Sequence, residues 1–458
     1  MNKMIDWEKS MKNRLMKFSA LFCASALVFT MGGCGTGTEK NNEATTEAAE
    51  TTAEAKAEIG KVEVEPTYSL VQNVYSWGSS YSKAIIPVDF ASGADYVDPA
   101  DYTVEVERFD KNGEALNSGE RVVTAAYRSD ETGKNENDGN YVTLDLAVTA
   151  NLSLAQPYYT DPDSFAKTLK AWADCKYTII NTETGDVWNE EDTVYHPDEE
   201  KFATDTLTAD DVTIPYAYYS ADDNEKHPLV VWLHGAGSGG TDIGFVTGGM
   251  LVTNFVSDEV QKIFGGANIL MPQCETVWMD DGSGEYTTDG SSRYEAALKA
   301  LIDDVVAKND NIDTSRIYIG GCSNGGYMTV RMVVDYPEMF AACFPVCQAM
   351  QSSWVSDDEI TRWANVPTWF VHCTSDPVVP IDSTSEPLYN RLVKAGAEDL
   401  HFTKYDEIVD PDYGNSYIGH FAWVYSLKNL CDTDYDGSKV TVDGNEVNLY
   451  QWVASQTK

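Results

Sequence analysis

Two different patterns of apolar and polar residues divide the chain. From about Val64 to Trp188 the two kinds of residue alternate over short runs, among them YTVEVERF (102–109), RVVTAAYR (121–128), YVTLDLAV (141–148) and KYTIINT (176–182). Alternation of this kind is typical of strands with one buried face, and clusters such as DKNGE lie between the runs as turns. Several short strands at this spacing predict an all-β, immunoglobulin-like sandwich over residues 66–200. One stretch, DSFAKTLKAWAD (163–174), has helical spacing and predicts a helix within that domain.

After about Phe202 the apolar runs become continuous. They are PLVVWLHG (228–235), ANILMPQ (267–273), RIYIGG (316–321), FAACFPVC (340–347), PTWFVHC (367–373) and LHFTKYDE (400–407). Runs without alternation indicate strands buried on both faces, as in a parallel sheet. A helical pattern between them, SSRYEAALKALIDDVVAKND (291–310), places apolar residues at 294, 297, 298, 301, 302 and 305. Residues 201–458 are therefore predicted to form an α/β domain with a doubly wound, mostly parallel sheet.

The charge of the chain limits its partners. Its 458 residues include 73 acidic and 32 basic side chains, which gives a formal net charge of -41. Such a surface repels the phosphates of nucleic acids and of anionic lipids, so neither is an expected partner. The acidity instead indicates a solvated, soluble surface.

The N-terminus has the pattern of a targeting segment. Lys12, Arg14 and Lys17 precede an apolar run from Phe18 to Met31, which is too short to span a bilayer as a mature helix. The run ends in MGGC, and small residues before a cysteine resemble the lipobox of bacterial lipoproteins. Residues 1–34 are thus predicted to be a lipoprotein signal with Cys34 lipidated, which implies a cell-surface protein held at the outer face of a bacterial membrane. An ordinary cleaved signal followed by a chance cysteine is the alternative.

Residues 35–65 are rich in Thr, Glu and Ala and have almost nothing apolar to bury, which predicts an extended, disordered tether.

Beyond Cys34 the chain has seven cysteines, which are irregularly spaced at 175, 274, 322, 343, 347, 373 and 431. They indicate neither a disulfide framework nor a zinc site, and no metal or organic cofactor is expected.

One serine lies among four glycines where a strand meets a helix. GGCSNGG (320–326) follows the strand run RIYI and precedes an apolar helical stretch from Tyr327, and Gly321 to Gly325 fits G-x-S-x-G. A serine on such a sharp turn needs glycine flanks, because side chains there would collide with the neighbouring strand and helix. Ser323 is thus a candidate nucleophile, and a glycine-rich turn whose serine only caps the helix is the alternative.

A serine hydroxyl requires a base that is oriented by a carboxylate, in the chain order Ser, Asp, His. His420, in the loop SYIGHFAW, is the candidate base, because His372 and His401 lie within predicted strands. Asp376, at which the strand in VHCTSDPVVP ends, is the candidate acid, and Asp382 is its competitor further along the loop. The alternative for Asp376 is a turn-capping role.

Backbone donors and a pocket complete the expected site. Asn324 is expected to donate one oxyanion-hole N–H, and Ala236 the other, with Gly235 as its alternative in VVWLHGAGSGG. His234 precedes the serine and is expected to be structural. Trp278 and Trp354 are candidates for lining a substrate subsite, with buried packing as the alternative for each.

Taken in order, HPLVVWLHGAG, GGCSNGGYM, SDPVVP and GHFAW resemble the α/β-hydrolase superfamily. They are most similar to its bacterial carboxylesterase and predicted-peptidase group, which includes feruloyl esterases and polyhydroxyalkanoate depolymerases. The β-rich region resembles the immunoglobulin-like N-terminal domain of some bacterial esterases. The resemblance implies Ser323, Asp376 and His420 as a catalytic triad, Ala236 and Asn324 as the oxyanion hole, and an ester as substrate. A serine peptidase with the same triad and a non-catalytic, ligand-binding surface lipoprotein are the alternatives.

Overall fold

The computed structural model describes residues 66–458 with the exception of residues 89, 91–96, 222 and 224. The predicted signal segment, Cys34 and the tether lie outside the described residues. Two domains follow one another along the described chain, and each is built around its own sheets.

The first domain is a sandwich of two sheets with one added hairpin. The five-stranded sheet has the order β11-β1-β2-β6-β5, the four-stranded sheet has the order β10-β9-β3-β4, and β7 pairs with β8. The strands are β1 (Thr67–Tyr75), β2 (Gly78–Pro87), β3 (Tyr102–Phe109), β4 (Ala115–Glu120), β5 (Val123–Ser129), β6 (Tyr141–Leu146), β7 (Tyr158–Thr160), β8 (Lys170–Trp172), β9 (Asp174–Asn181), β10 (Val187–Trp188) and β11 (Glu190–Tyr195).

Alternation along the strands builds the core of this sandwich. In β3, Val104 and Val106 are buried while Glu105 and Glu107 are exposed. Strand β9 has the same pattern, and its buried residues share one apolar core with those of β1, β2 and β6 in the other sheet, as in a sandwich. The predicted all-β, immunoglobulin-like domain is confirmed.

The helix predicted over residues 163–174 is wrong. The stretch contains a short 3-10 turn, Phe165–Lys167, followed by β8, which pairs with β7. Ala166 and Lys167 have φ angles of +48° and +56°, a left-handed conformation that ends any helix. Trp172 stacks on Phe245 of the second domain with ring centroids 4.2 Å apart. Packing between the two domains therefore determines the conformation of this segment, and the spacing of its apolar residues predicted the wrong element.

The second domain is built on an eight-stranded sheet of order β12-β13-β15-β14-β16-β17-β18-β19. The six strands from β14 to β19 are mutually parallel, and β13 runs antiparallel between β12 and β15. The strands are β12 (Ala203–Ala209), β13 (Val212–Tyr219), β14 (His227–Leu233), β15 (Asn268–Pro272), β16 (Ile312–Cys322), β17 (Ala342–Val346), β18 (Thr368–Cys373) and β19 (Leu400–Tyr405). Two small hairpins follow, formed by β20 (Ile408–Val409), β21 (Ser416–Tyr417), β22 (Thr441–Val442) and β23 (Asn445–Glu446).

Helices cover both faces of this sheet. They are α1 (Gly244–Thr247), α2 (Asp258–Phe264), α3 (Glu295–Lys308), α4 (Asn324–Asp335), α5 (Asp357–Trp363), α6 (Ser385–Ala395), α7 (Trp423–Leu427) and α8 (Leu449–Ser455). Short 3-10 turns span Pro99–Asp101, Ser153–Ala155, Ala236–Ser238, Val252–Val256, Pro337–Met339, Ser352–Trp354 and Gly419–Phe421. The helix predicted from residues 291–310 is present as α3, and the six apolar positions that predicted it are all buried.

Strand β14 shows why its sequence does not alternate. Leu229, Val231 and Leu233 belong to the apolar core on one side of the sheet, and Val230 and Trp232 belong to the core on the other. Both faces are therefore covered, as the continuous apolar runs predicted. The doubly wound, mostly parallel α/β sheet is confirmed.

Three further properties describe the folded part of the chain. All seven cysteines from Cys175 to Cys431 are buried and free. None of the helices in the described residues is long and apolar enough to cross a membrane. Among the same residues, no group of three or more His, Cys, Asp or Glu side chains is arranged to hold a metal ion.

Candidate active site

Ser323 lies at the junction of β16 and α4, between Cys322 and Asn324. Its backbone has φ +56° and ψ -115°, a conformation that L-residues rarely adopt. Hydrogen bonds on both sides hold it there: its N–H donates to the Val346 carbonyl at 2.9 Å, and its own carbonyl accepts from the Tyr327 N–H at 2.9 Å. The turn therefore fixes the serine at the carboxyl edge of the parallel strands, where α/β sheets bind ligands.

Gly321 and Gly325 have no room for a side chain, because the backbone of a neighbouring strand lies close to both of them. A Cβ on Gly321 would lie 2.7 Å from the Leu233 carbonyl oxygen, and one on Gly325 only 2.0 Å from the same atom. Leu233 ends strand β14, which neighbours β16. The sequence predicted that side chains at these two positions would collide with the neighbouring strand, and the structure shows that close approach.

Replacing Gly325 by alanine is expected to lower the free energy of unfolding by at least about 2–3 kcal/mol, because the clash is with backbone. Urea denaturation followed by circular dichroism measures it. Gly119→Ala is the matched control, since its added methyl group would meet only the end of the Leu154 side chain, at 3.0 Å. A Gly325→Ala variant as stable as the wild-type protein would contradict the close approach.

The structure brings Ser323, His420 and Asp376 together in one chain of hydrogen bonds. His420 Nε2 lies 2.9 Å from Ser323 Oγ, and His420 Nδ1 lies 2.8 Å from Asp376 Oδ2. An ionised carboxylate only accepts, so Nδ1 carries the proton and Nε2 is free to accept the serine proton. The three residues are far apart in the sequence, and their arrangement is that of a nucleophile, a general base and an orienting acid.

Asp376 is fixed by four donors. Its Oδ1 accepts from the N–H groups of Val378 and Val379 at 2.8 and 2.9 Å, and its Oδ2 lies 2.8 Å from His420 Nδ1 and 3.2 Å from His372 Nε2. Burial opposes ionisation of this carboxyl, but the two histidines outweigh burial and hold its pKa well below the usual range. Asp376 is thus a carboxylate, whereas the competitor Asp382 is exposed in the following loop.

His372 is a contact of the acid that the sequence did not reveal. It is fully buried, its Nδ1 lies 2.8 Å from Ser385 Oγ, and its Nε2 lies 3.1 Å from the Val379 carbonyl oxygen as well as close to Asp376. The Nε2–H tautomer satisfies both of these acceptors. The available signal was the spacing VHCTSD, which places a histidine on β18 four residues before the acid at the end of that strand.

The loop after β14 lies directly beside the serine. A Cβ on Gly235 would lie 3.8 Å from Ser323 Cβ, and a 3-10 turn begins at Ala236. The same Cβ would lie 3.6 Å from the Cys322 sulfur. Within the described residues, the N–H groups of Ala236 and Asn324 donate no hydrogen bond. Ala236 follows Gly235 and Asn324 follows Ser323, so two unoccupied backbone donors lie next to these residues, and an oxyanion hole requires two such donors.

Comparison with known protein families agrees with both domains. The Esterase Ig-like N-terminal domain family matches residues 67–196, and the Phospholipase/Carboxylesterase family matches residues 216–409. The second domain has the α/β-hydrolase fold. The first domain matches a family described as N-terminal, and it precedes the α/β domain here as well.

The relatives of this chain are similar to it over part of their length. Cutinase est1 of Thermobifida alba is 29% identical over 145 residues, 31% of this chain and 46% of that protein. Feruloyl esterase B of Neurospora crassa is 31% identical over 118 residues, 26% of this chain and 37% of that protein. The chain thus spans about half or less of the length of these curated relatives. A solved structure described as a thermostable esterase shares the fold, with a TM-score of 0.64 and 22% identity over 87% of this chain and all of that one.

Two further histidines of the α/β domain, His234 and His401, have structural surroundings. His234 is buried, its Nδ1 lies 2.7 Å from the Gly235 carbonyl oxygen, and its Nε2 accepts from the Cys274 N–H at 3.2 Å. Burial lowers the pKa of His234 to about 4, so the ring is neutral at pH 7. His401 lies between Asp399 and Asp434; burial disfavours its charged form, but these carboxylates raise its pKa to about 9. Neither ring contacts Ser323.

The two candidate tryptophans differ in exposure. Trp278 is completely buried; its backbone N–H donates to Asn324 Oδ1 at 2.6 Å and its indole N–H to the His234 carbonyl at 3.2 Å. Trp278 thus packs beneath the hydrolase site and supports the residue that follows the serine. Trp354 is only partly buried, lies edge-on to Tyr327, and keeps an accessible side.

Proposed function

We propose that this hydrolase is a carboxylesterase that works through an acyl-enzyme on Ser323. The observation that supports the proposal is the continuous chain of hydrogen bonds from Ser323 Oγ to His420 and on to Asp376, with separations of 2.9 and 2.8 Å. Such separations are within reach for proton transfer without rearrangement. The matched family and relatives named cutinase and feruloyl esterase favour an ester over an amide as substrate.

The proposed reaction has two acyl-transfer steps. Ser323 Oγ attacks the ester carbonyl while His420 Nε2 takes its proton, and Asp376 stabilises the resulting imidazolium. The N–H groups of Ala236 and Asn324 hold the tetrahedral oxyanion in this scheme, with the Gly235 N–H as the alternative to that of Ala236. His420 then protonates the leaving alcohol. Water, activated by the same imidazole, hydrolyses the acyl-enzyme and restores the serine.

Substrate contacts and cellular location are further parts of the proposal. Trp354, with its accessible side, is the better candidate for a substrate contact, since Trp278 has no exposed surface. Lipidation at Cys34 remains a prediction from the sequence, and with it a position outside the membrane. An anchored esterase of this kind would act on small or polymer-linked esters and would touch the membrane only through its N-terminus.

A matched series of esters and amides tests the proposed function. We expect hydrolysis of 4-nitrophenyl esters from acetate to octanoate, with the corresponding aminoacyl 4-nitroanilides turned over at least about 100-fold more slowly in kcat/KM. Faster turnover of a peptide amide than of every ester would make the chain a peptidase. Absence of both turnover and labelling by a fluorophosphonate would make it a ligand-binding protein with a hydrolase fold.

A further inference from the structure

The sandwich domain reaches the candidate active site through the hairpin of β7 and β8. Cross-strand pairing joins Tyr158 to Trp172 and Thr160 to Lys170, so these four side chains share one face. That face lies on the second domain: Trp172 stacks on Phe245, and its indole N–H donates to Asp242 at 2.6 Å. The hairpin therefore covers the loop that begins at Gly235, beside Ser323.

Lys170 lies where this hairpin meets the candidate oxyanion loop. A Cβ on Gly237 would be 3.9 Å from Lys170 Cε and 3.6 Å from the Thr168 carbonyl oxygen, both ordinary contacts. Gly237 follows Ala236 directly, and two residues of chain span at most about 7 Å. The lysine thus lies against the loop that carries Ala236, the candidate oxyanion donor.

The charge of Lys170 has no partner of opposite sign nearby. Its Nζ lies 4.0 Å from the centre of the Tyr158 ring, a cation–π contact, and no carboxylate of the described residues lies within 4.0 Å of it. By contrast, Lys83 and Lys111 of the same domain are paired, with Asp145 at 3.1 Å and with Asp161 at 2.6 Å.

Partial burial makes this ammonium group a good receptor for an anion. It lowers the pKa of Lys170 to about 8, because removal from water disfavours the charged form. At pH 7 the group is still mostly protonated, and an incoming carboxylate would supply the missing counter-charge in a charge-assisted hydrogen bond. Lys170 as a whole residue is half-buried, and a ligand can approach its exposed part.

We propose that Lys170 is a substrate-binding residue that selects esters carrying a carboxylate a few atoms from the scissile bond. The proposal rests on the proposed esterase function and names a substrate class for it. It also gives the sandwich domain a direct part in recognition, because the selecting side chain comes from that domain and the nucleophile from the other.

Two pairs of substrates test the proposal on the full chain. The first pair, the mono(4-nitrophenyl) ester of adipic acid and 4-nitrophenyl hexanoate, differs by a carboxylate on the acyl side. The second pair, 4-acetoxybenzoate and 4-acetoxybenzamide, differs by a carboxylate on the leaving-group side. For each pair the quantity measured is the ratio of kcat/KM for the charged substrate to that for the neutral one.

Lys170→Met is expected to lower this ratio about 10- to 100-fold in at least one pair, the size of one charge-assisted contact. The pair that responds identifies the side of the substrate that faces the lysine. Lys176→Met is the matched control, because it removes the same charge from an exposed position in the same domain, where Lys176 faces Asp174 at 3.6 Å. Long-range repulsion by the acidic surface changes equally in both variants, so the control ratio should stay within about twofold of wild type.

An unchanged ratio in both pairs for Lys170→Met would overturn the inference while leaving the esterase proposal intact, since the neutral esters would still be hydrolysed. Failure to hydrolyse any ester would instead overturn the proposed function itself. Should Lys170→Met not fold, Lys170→Gln carries the same comparison. Independently, the wild-type ratio should exceed one in at least one pair at about 0.15 M salt, and a ratio below one in both pairs would contradict the assignment.

Discussion

Alanine in place of Ser323 is expected to reduce kcat/KM for every ester substrate by roughly 10⁴- to 10⁶-fold, because no other group can form the acyl-enzyme. The substitution removes only the hydroxyl, 2.9 Å from His420 Nε2, and leaves the backbone of the turn in place. Hydrolysis of 4-nitrophenyl butyrate by purified protein measures the loss. Labelling by a fluorophosphonate, located by mass spectrometry of the peptide, should disappear together with the activity.

Ser283→Ala is the control for this prediction. Ser283 lies in an exposed turn, where its backbone N–H contacts Asp281, and it should label and turn over as the wild-type protein does. A Ser323→Ala protein that keeps more than about a hundredth of the wild-type kcat/KM, or that still reacts with the fluorophosphonate at another serine, would show that the nucleophile is misassigned.

His420→Ala should have an effect nearly as large, a loss of roughly 10⁴-fold or more in kcat, because the serine then has no base. His401→Ala provides the contrast. His401 is held between Asp399 and Asp434 at 3.1 and 2.7 Å, so its removal leaves two carboxylates facing each other. We expect that change to lower the free energy of unfolding by about 1–3 kcal/mol, while the folded protein keeps its turnover.

The two histidine variants are compared at a temperature at which circular dichroism shows both to be folded. Activity is then normalised to the folded protein. Equal losses of kcat in His420→Ala and His401→Ala would exclude His420 as the specific base, and so would a fully active His420→Ala protein. The contrast is informative because both rings contact carboxylates, yet His420 alone of the two contacts Ser323.

The sequence predicted those parts of the fold that local patterns determine. Continuous apolar runs marked six strands of the second sheet, since burial on both faces leaves no room for alternation. The strand and helix around GGCSNGG, together with the order of acid and histidine, identified the three residues that the structure brings together. The apolar runs and the glycine motif are local patterns, found within about ten residues of the strand or serine that they identify. The chain order of serine, acid and histidine is the one signal that spans a longer stretch of sequence.

Features that depend on contacts between distant segments were harder to predict. The stretch 163–174 has helical spacing, yet its apolar side chains pack across the domain boundary, and left-handed residues Ala166 and Lys167 exclude a helix. Strands β12 and β13 were not singled out, because much of β12 is exposed. The sequence places His372 in a strand, and no residue near it in the sequence indicates that its ring faces Asp376. Such a contact depends on the register of the strands and on the rotamer of the side chain, and the spacing of residues in the sequence specifies neither.

The backbone at Ser323 has an evolutionary consequence. A φ of +56° with a ψ of -115° suits glycine, and holding another residue there costs about 1–3 kcal/mol. Glycine at this position would relieve that cost and remove the nucleophile at the same time. Selection for stability alone would therefore favour glycine here, and only selection for turnover keeps a hydroxyl at the turn.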